Sequence, residues 1–391
     1  MVQIDIKQTL TAFSLALDIA ENQPMEHAQR TAYIALQIGK QLGLPTQDLQ
    51  EVYISALLHD VGVTDSKADA HGDHNQRVSH CFMGRDIVTS LPFISKEIGE
   101  NIAWHHANWD GSGEFRRQGH EIPLGAQIIY LADRIDIQQG ELTSIYSKRV
   151  TILDYIRENS GTFFNPDVVE GFLAAQKQEK FWLDYSNGDL FEVINDCHFC
   201  TMSSDLACME VLALAFAKII DNKSPFTYNH SQGVAELVSG LGKCYGFDIE
   251  TMQALKISGL LHDLGKLSVP NAILDKPGQL TPLEYQIIKG HSYYTKRILS
   301  KITGFEHIKE WAGNHHEALN GNGYPEGIGG DGLSIQDRIV AACDVYQALT
   351  EERPYRVKPM AQSKVFEILD EQVKNNRICQ EVVSSLKKMI G

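Results

Sequence analysis

Two halves of this 391-residue chain carry the same ordered set of histidines and aspartates, and this repeat limits the fold more than any other feature. Residues 55–63 read SALLHDVGV and residues 258–266 read SGLLHDLGK, so the same apolar run ends twice in a His-Asp pair. Self-similarity that extends well beyond one motif is the mark of a duplicated structural unit. We therefore predict two domains of one plan, at residues 1–190 and 205–391.

Further polar residues recur around the His-Asp pair in the same order and at nearly the same spacing. In each half a histidine precedes the pair by 32 residues, and a third histidine, a His-His doublet and an aspartate in an apolar run follow it. In the first half these residues are His27, His59, Asp60, His80, His105, His106 and Asp133. In the second half they are His230, His262, Asp263, His291, His315, His316 and Asp344. We predict that each half gathers its set around one cavity.

The sequence around these residues is helical. The apolar side chains after the first histidine of the second half, from Val234 to Leu241, follow the spacing of an amphipathic helix. Thr281 with Glu284 forms a capping-box pattern at the start of another helix. Long alternating strand patterns are absent from the sequence. The predicted fold is all-α, with two tandem bundles of five or more helices and a boundary near residues 185–205.

The polar set has the composition of a metal centre. A single buried histidine is more often a hydrogen-bonded core residue, but aspartates are rarely buried without a partner. Adjacent residues on a helix point about 100° apart, so a His-His doublet can address two ions and the aspartate of a His-Asp pair can bridge them. Mixed imidazole and carboxylate ligands suit transition metals better than calcium or magnesium. We expect two divalent transition-metal ions in the second half, iron or manganese first, and further metal in the first half.

The two halves differ in the groups around this set. Lys266 follows the second His-Asp pair, where the first half has Val63. A glycine-rich loop with Tyr324 follows the second doublet, and Arg353 and Arg356 come after the last aspartate. An ammonium, free loop amides and a guanidinium pair are groups that bind phosphates. We predict that both halves bind metal and that the second half is the one built to cleave a phosphorus–oxygen bond.

The second half closely resembles the HD-GYP family of cyclic-dinucleotide phosphodiesterases. The segments HDLGK (262–266), HHEALNGNGYP (315–325) and DVYQALTEERPYR (344–356) match the family pattern, and the first half resembles a divergent relative. The resemblance implies two tandem HD-type bundles, a role in bacterial second-messenger signalling, and hydrolysis of cyclic di-GMP or 3′3′-cyclic GMP-AMP (cGAMP) to a linear dinucleotide or mononucleotides. It also implies metal ligation by the second-half set, catalytic roles for Asp263 and Lys266, and substrate contacts by Tyr324, Arg353 and Arg356.

Two departures from the family pattern bear on the centre. Some relatives place a glutamate four residues before the first histidine, where it ligates a third ion, but this chain has Phe226 there. This difference favours two ions over three. Gly233 stands where relatives commonly have an arginine.

Charge and composition limit the classes of partner and the cellular location that we expect for this chain. The net charge of −15 argues against DNA or RNA as a partner. No stretch approaches the ~20 apolar residues of a membrane helix. The N-terminus shows no signal-peptide pattern, and the seven cysteines are scattered as in a reducing compartment, so we expect a cytoplasmic protein. An oligomer is compatible with this composition.

Two other functions stay open at this level. HD-type centres also serve nucleotidases and other phosphomonoesterases, and a non-catalytic sensor could bind the dinucleotide and act through a partner. The lysine at position 266 and the Gly-Tyr-Pro loop favour the enzyme over the sensor, since binding alone does not require a complete catalytic set.

Overall fold

The computed structural model describes residues 4–20, 26–63, 74–91, 94–140, 145–186, 190, 203–223, 229–351 and 360–391. The chain divides into two compact units. Leu10–Met202 form the first, and Met1–Thr9 together with Ser203–Gly391 form the second. We call them the first domain and the second domain.

Helices make up most of both domains, which confirms the predicted all-α class. The described part of the chain holds eighteen α-helices and two short strands. The α-helices before residue 190 are α1 (Ile6–Ala20), α2 (His27–Gln41), α3 (Thr46–Leu57), α4 (His74–Thr89), α5 (Lys96–Trp104), α6 (Leu124–Gln139), α7 (Ile145–Glu158), α8 (Pro166–Ala175) and α9 (Glu179–Ser186). Those after residue 203 are α10 (Leu206–Asn222), α11 (His230–Cys244), α12 (Ile249–Leu261), α13 (Asn271–Leu274), α14 (Pro282–Leu299), α15 (Glu306–Gly313), α16 (Ile335–Thr350), α17 (Gln362–Lys374) and α18 (Gln380–Ile390). Short 3-10 helices span Gly119–Glu121, Leu264–Ser268 and Gly330–Gly332.

The first residues of the chain pack with the second domain. Strand β1 (Ile4–Asp5) pairs antiparallel with β2 (Ser203–Ser204), and the side-chain oxygen of Gln8 accepts a hydrogen bond of 2.9 Å from the backbone N–H of Thr303. The observed division therefore differs at the N-terminus from the predicted ranges. A two-residue strand has no periodicity that a sequence pattern could reveal.

The repeat seen in the sequence is a repeat of five helices. In the first domain these are α2 to α6, and in the second domain they are α11, α12, α14, α15 and α16. The first histidine begins α2 or α11, the His-Asp pair follows α3 or α12, and the third histidine lies within α4 or α14. The doublet follows α5 or α15, and the last aspartate lies within α6 or α16.

Local sequence signals explain how the helices of the second domain begin and pack. The predicted capping box is confirmed: Thr281 Oγ1 accepts a hydrogen bond from the N–H of Glu284, and the Glu284 carboxylate accepts one from the N–H of Thr281. Val234 and Leu241 are fully buried in a core built from α11, α12, α16, α17 and α18. None of the described helices has the length and apolarity to cross a membrane.

A buried aspartate fixes the start of the helix that carries the first histidine in each domain. Asp18 accepts a hydrogen bond of 2.9 Å from the N–H of Ala28, and Asp221 accepts one of 3.1 Å from the N–H of Ser231. Burial raises the pKa of each aspartate to about 6. The two domains thus share this contact as well, although neither aspartate was predicted from the sequence.

Candidate active site

The seven predicted ligands of the second domain lie around one buried centre. Asp263 stands in the middle: its Oδ2 is 3.2 Å from His262 Nε2 and 3.6 Å from His230 Nε2. Its Oδ1 is 3.5 Å from His291 Nε2 and 3.9 Å from His315 Nε2. One carboxylate therefore faces two groups of imidazoles, as a bridging ligand would.

The remaining ligands complete two groups. Asp344 Oδ1 lies 3.1 Å from His230 Nε2 and 3.7 Å from His262 Nε2, and these three residues form the first group. His291, His315 and His316 form the second. Within each group the possible ligand atoms lie within 4.8 Å of one another.

His316 has Nδ1 toward Asp344 Oδ2 at 3.9 Å, and the other four imidazole rings have Nε2 toward the carboxylates of the centre. Three of them use Nδ1 to donate a hydrogen bond to the backbone carbonyl three residues earlier. These pairs are His262 with Gly259, His291 with Ile288 and His315 with Ala312, at 2.6–2.8 Å. Such a bond fixes the tautomer whose Nε2 carries the lone pair. Nε2 of His262 is buried and has no hydrogen-bond partner among the described residues. The donor set thus fits divalent transition metals.

The charges of the centre also fit bound cations. Burial opposes ionisation of Asp263, but His262 and Lys266 hold the pKa of this carboxyl well below its usual range. Burial disfavours the charged form of His262 as well, but Asp263 raises the pKa of this histidine to about 10. Burial and the nearby His316 lower the pKa of His291 to about 3. The carboxylates are therefore ionised and one group of imidazoles is neutral, and metal binding would displace the proton of His262.

Two of the predicted substrate-facing residues border the ligands. Lys266 lies in the 3-10 helix after the His-Asp pair, and its ammonium is 2.5 Å from Asp263 Oδ2. The Tyr324 ring lies 4.8 Å from the His316 ring, between centroids. Arg353, Arg356 and Phe226 lie outside the described residues.

A buried glutamate shapes the Gly-Tyr-Pro loop. The carboxylate of Glu317 accepts hydrogen bonds from the N–H groups of Glu326, Gly327 and Ile328 at 2.7–3.1 Å. A Cβ atom at Gly323 would lie 2.4 Å from the Cα of Glu317, so this turn of the loop requires glycine. Glu317 was not predicted from the sequence, although its position directly after the His-His doublet was a usable signal.

A second carboxylate, also missed, positions the first histidine. Glu351 Oε2 lies 2.9 Å from His230 Nδ1, and Glu351 Oε1 accepts a hydrogen bond of 2.8 Å from Gln347. Gly233 leaves room for the amide, because a Cβ atom there would lie 2.3 Å from Gln347 Nε2. Gln347 and Glu351 follow Asp344 by about one and two helical turns, so their shared face was the available signal.

The first domain gathers its predicted ligands in the same way. Asp60 Oδ2 is 3.0 Å from His59 Nε2, and Asp60 Oδ1 is 3.5 Å from His80 Nε2 and 3.7 Å from His105 Nε2. His59 and His105 donate from Nδ1 to backbone carbonyls three residues earlier. Their Nε2 atoms are buried without a hydrogen-bond partner in the described part of the chain.

The rest of the first-domain set completes the match. His27 Nε2 lies 3.5 Å from Asp133 Oδ1, and the His106 ring lies tilted beside the His105 ring with centroids 4.0 Å apart. The thiol of Cys81, which was not predicted to take part, lies 3.6 Å from His80 Nε2. The geometry of this centre therefore also fits a metal, with a sulfur atom close to one group.

The surroundings of the first-domain centre differ from those of the second. Val63 is a buried apolar residue where the second domain has a lysine. Eight residues after the doublet, in the place of Tyr324, stands Glu114, and directly after the doublet, in the place of Glu317, stands Ala107. The first domain therefore keeps the ligands without counterparts of Lys266 and Tyr324, and a cation beside its centre is Arg134, whose Nε lies 3.3 Å from Asp133 Oδ2.

Another network holds the first histidine of the first domain. His27 Nδ1 is 2.7 Å from Asp136 Oδ2, and the same carboxylate accepts hydrogen bonds from Arg30 at 2.6 Å and from the Tyr185 hydroxyl at 2.5 Å. Arg30 is almost fully buried. Neither Arg30 nor Asp136 was predicted, although each stands three residues after a predicted ligand.

Comparisons with known proteins agree with this architecture. HD-domain family models match residues 25–138 and residues 215–382. The 3′3′-cGAMP-specific phosphodiesterase 1 of Vibrio cholerae is 31% identical over 396 residues, which cover 97% of this chain and 90% of that protein. The chain belongs to the HD-GYP family of cyclic-dinucleotide phosphodiesterases. This confirms the predicted family and the presence of two HD domains.

Other HD-GYP relatives match over the whole chain or over one part of it. The 3′3′-cGAMP-specific phosphodiesterase 3 of V. cholerae is 30% identical and covers 99% of this chain and 95% of that protein. A crystal structure of a V. cholerae cyclic GMP-AMP-specific phosphodiesterase matches with a TM-score of 0.75 at 27% identity, over 100% of this chain and 98% of that one. A cyclic di-GMP phosphodiesterase of Pseudomonas aeruginosa is 36% identical over 34% of this chain and 32% of that protein.

Proposed function

We propose that the second domain hydrolyses 3′,5′-linked cyclic dinucleotides, with 3′3′-cGAMP as its preferred substrate, and that the first domain does not. One contrast carries the proposal. In the second domain the buried histidines and aspartates adjoin Lys266 and Tyr324, whereas the first domain has Val63 and Glu114 at the corresponding positions. The carboxylate of Glu114 would repel the charged phosphodiester, and the apolar side chain of Val63 would not bind it.

The relatives support cGAMP as the preferred substrate. Two proteins named as 3′3′-cGAMP-specific match both domains, over 97% and 99% of this chain. The match to the Pseudomonas cyclic di-GMP phosphodiesterase extends over 34% of it. The features that the chain shares with the cGAMP-specific proteins thus include the whole two-domain arrangement.

Seven residues of the second domain would hold two divalent ions, with Asp263 facing both groups of imidazoles. They are His230, His262, Asp263, His291, His315, His316 and Asp344. Bound ions would acidify a water molecule and balance the charge that develops at phosphorus. Iron and manganese are the metals that we expect first, since the donors are imidazoles and carboxylates.

The residues around the ions would orient the substrate. We assign Lys266 to the phosphoryl oxygens, because its ammonium borders Asp263, the carboxylate that faces both groups of imidazoles. A positioned donor of this kind stabilises the negative charge of the transition state. Tyr324 would pack against the ribose or the base, on a loop that Glu317 holds in shape. Arg353 and Arg356 are proposed, from the sequence alone, to bind the second phosphate.

The test uses the full-length protein loaded anaerobically with iron(II) or manganese(II). It is incubated separately with 3′3′-cGAMP, cyclic di-GMP and a phosphomonoester such as p-nitrophenyl phosphate, and the products are identified by mass spectrometry. We expect turnover of both cyclic dinucleotides, with the larger kcat/KM for 3′3′-cGAMP. Turnover of the phosphomonoester alone would instead identify a phosphomonoesterase, and tight binding of the dinucleotides without turnover would identify a sensor.

A further inference from the structure

A lysine ammonium lies between two tyrosine rings at the edge of the proposed active site. Lys289 Nζ is 4.7 Å from the centroid of the Tyr285 ring and 5.5 Å from that of the Tyr324 ring. Tyr324 in turn lies against His316, one of the candidate ligands. The tyrosines and the lysine therefore form a continuous surface that leads outward from the centre.

This ammonium has no carboxylate partner among the residues that the structure describes. Within α14 and its neighbours, Lys276 pairs with Glu284 at 2.7 Å and Lys296 pairs with Glu326 at 2.7 Å. Lys289 makes no ion pair of this kind with any described residue, although the chain has 50 acidic residues against 35 basic ones. No described acidic side chain therefore occupies its hydrogen-bonding groups, and a ligand could use them.

The aromatic rings indicate what kind of ligand this is. Tyr285 is 46% exposed and stands four residues before Lys289, so both point from the same face of the helix. An exposed ring offers a stacking surface that a nucleobase can use and a phosphate cannot. A flat ligand with acceptor atoms at its edge matches both the rings and the ammonium.

The edge chemistry of the purines favours guanine. Guanine presents two acceptors, O6 and N7, on its Hoogsteen edge, whereas adenine presents the N6 amino donor beside N7. An ammonium opposite that amino group would place donor against donor. We infer that Tyr285 and Lys289 form a guanine subsite of the second domain, in which the base stacks on Tyr285 and O6 accepts a hydrogen bond from Lys289. This inference rests on the proposed function.

The test removes O6 and the N1 proton from the guanine of the ligand and one charge from the protein; Lys289 can only donate, so of these two groups it can bind only O6. The substrates are 3′3′-cGAMP and an analogue in which 2-aminopurine, which lacks O6, replaces guanine. The full-length wild type should prefer cGAMP by about tenfold in kcat/KM, the range expected for a hydrogen bond to a base edge. Lys289→Met keeps the aliphatic chain, so it should lower kcat/KM for cGAMP by about tenfold and bring the preference close to one.

Matched variants separate this role from a structural one. Lys243→Met removes an exposed lysine near the far end of α11 and should keep the wild-type preference. Tyr285→Ala should raise KM for both substrates alike, because stacking does not depend on O6. Tyr285→Phe keeps an aromatic ring and should have the wild-type KM. Metal content and thermal unfolding of each variant check that the fold and the centre are intact.

The outcomes distinguish the two proposals. Turnover of neither substrate by the metal-loaded wild type would contradict the proposed function itself. Equal kcat/KM for both substrates in an active wild type would overturn the guanine subsite. A preference that survives in Lys289→Met would also overturn it, because Lys289 would then act on the phosphates that both substrates share.

Discussion

The two HD domains hold the same ligand set in different surroundings. In both, an aspartate lies between two groups of imidazoles, and histidines use Nδ1 to contact the backbone three residues earlier. Only the second adds Lys266 and Tyr324 beside this centre. The comparison teaches that the ligand set belongs to the fold, whereas the groups around it distinguish a candidate catalytic centre from a candidate metal-binding one.

The two domains use different residues to hold the first histidine of the ligand set. A carboxylate contacts Nδ1 of the first histidine in each: Asp136 in the first domain and Glu351 in the second. The first carboxylate is held by Arg30 and Tyr185, and the second by Gln347. Relative to the last aspartate of the ligand set, the carboxylate of the second domain stands about one helical turn further along the chain. Gly233 stands at the position of the arginine and leaves room for the glutamine.

The loops after the doublets are anchored by different forces. In the second domain Glu317 accepts three backbone hydrogen bonds. In the first domain Phe115 packs on Trp104 at 5.8 Å between ring centroids, and the Arg117 guanidinium lies 3.6 Å from the Trp104 ring. In the second domain a polar anchor holds the backbone of residues 326–328, whereas in the first domain an aromatic anchor packs the loop against the end of α5.

The largest effect should come from removing the His-Asp pair of each domain in turn. His262→Ala with Asp263→Ala should lower kcat for 3′3′-cGAMP by about 10³-fold or more, since a ligand and the bridging carboxylate leave together. Hydrolysis assays and metal analysis of the full-length variant measure this. Activity near the wild-type value would remove the second-domain centre from the mechanism.

The matched control is His59→Ala with Asp60→Ala. It should lower the metal content of the protein and leave kcat within about threefold of the wild type, because the chemical step lies in the other domain. A loss as large as that of the second-domain variant would show that the first-domain centre takes part in turnover.

The next effect concerns the lysine that only the second domain has. Lys266→Met should lower kcat by about 10²–10³-fold, the cost of one positioned donor, with metal content unchanged. Val63→Lys, made in the variant that lacks His262 and Asp263, should not restore activity, because Glu114 still stands in place of the tyrosine. Recovery of hydrolysis there would mean that the lysine alone separates the two domains.

A smaller effect should follow from exchanging the carboxylates behind the first histidine. Glu351→Gln should lower metal affinity or kcat by about 10–100-fold, as is usual for the partner of a metal-bound imidazole. Gly233→Arg with Gln347→Asp transplants the arrangement of Arg30 and Asp136, and in the Glu351→Gln background it should recover most of the loss. Metal titrations and kcat measure both the loss in Glu351→Gln and its recovery in the triple variant. If the triple variant recovers neither metal affinity nor kcat, the two networks are not equivalent.

The smallest effect should come from the loop anchor. Glu317→Ala leaves three backbone N–H groups without their acceptor, so it should lower the free energy of unfolding by about 1–3 kcal/mol and kcat/KM by about tenfold. Glu317→Gln keeps an acceptor oxygen and should lie between this variant and the wild type. Hydrogen exchange at Glu326, Gly327 and Ile328 reports the loop directly, and unchanged protection in Glu317→Ala would contradict this role.

The sequence by itself determined the features that depend on local periodicity and on the repeat. The all-α class, the capping box at Thr281 and the two sets of seven polar residues followed from spacing along the chain. Helical geometry explains why spacing carries this information, because residues at fixed intervals on packed helices reach equivalent places in both copies. The difference between Lys266 and Val63 is likewise a property of the sequence alone.

Only the tertiary structure decided which groups support the ligands. His27 and Asp136 are 109 residues apart, and His230 and Glu351 are 121 residues apart. The contact of Lys289 with Tyr324 joins a helix to a loop in the same way. Such contacts depend on the directions of side chains from separate helices, which no periodicity along one helix specifies. The two domains show the consequence, since one ligand set is supported by an aspartate–arginine pair in one copy and by a glutamate–glutamine pair in the other.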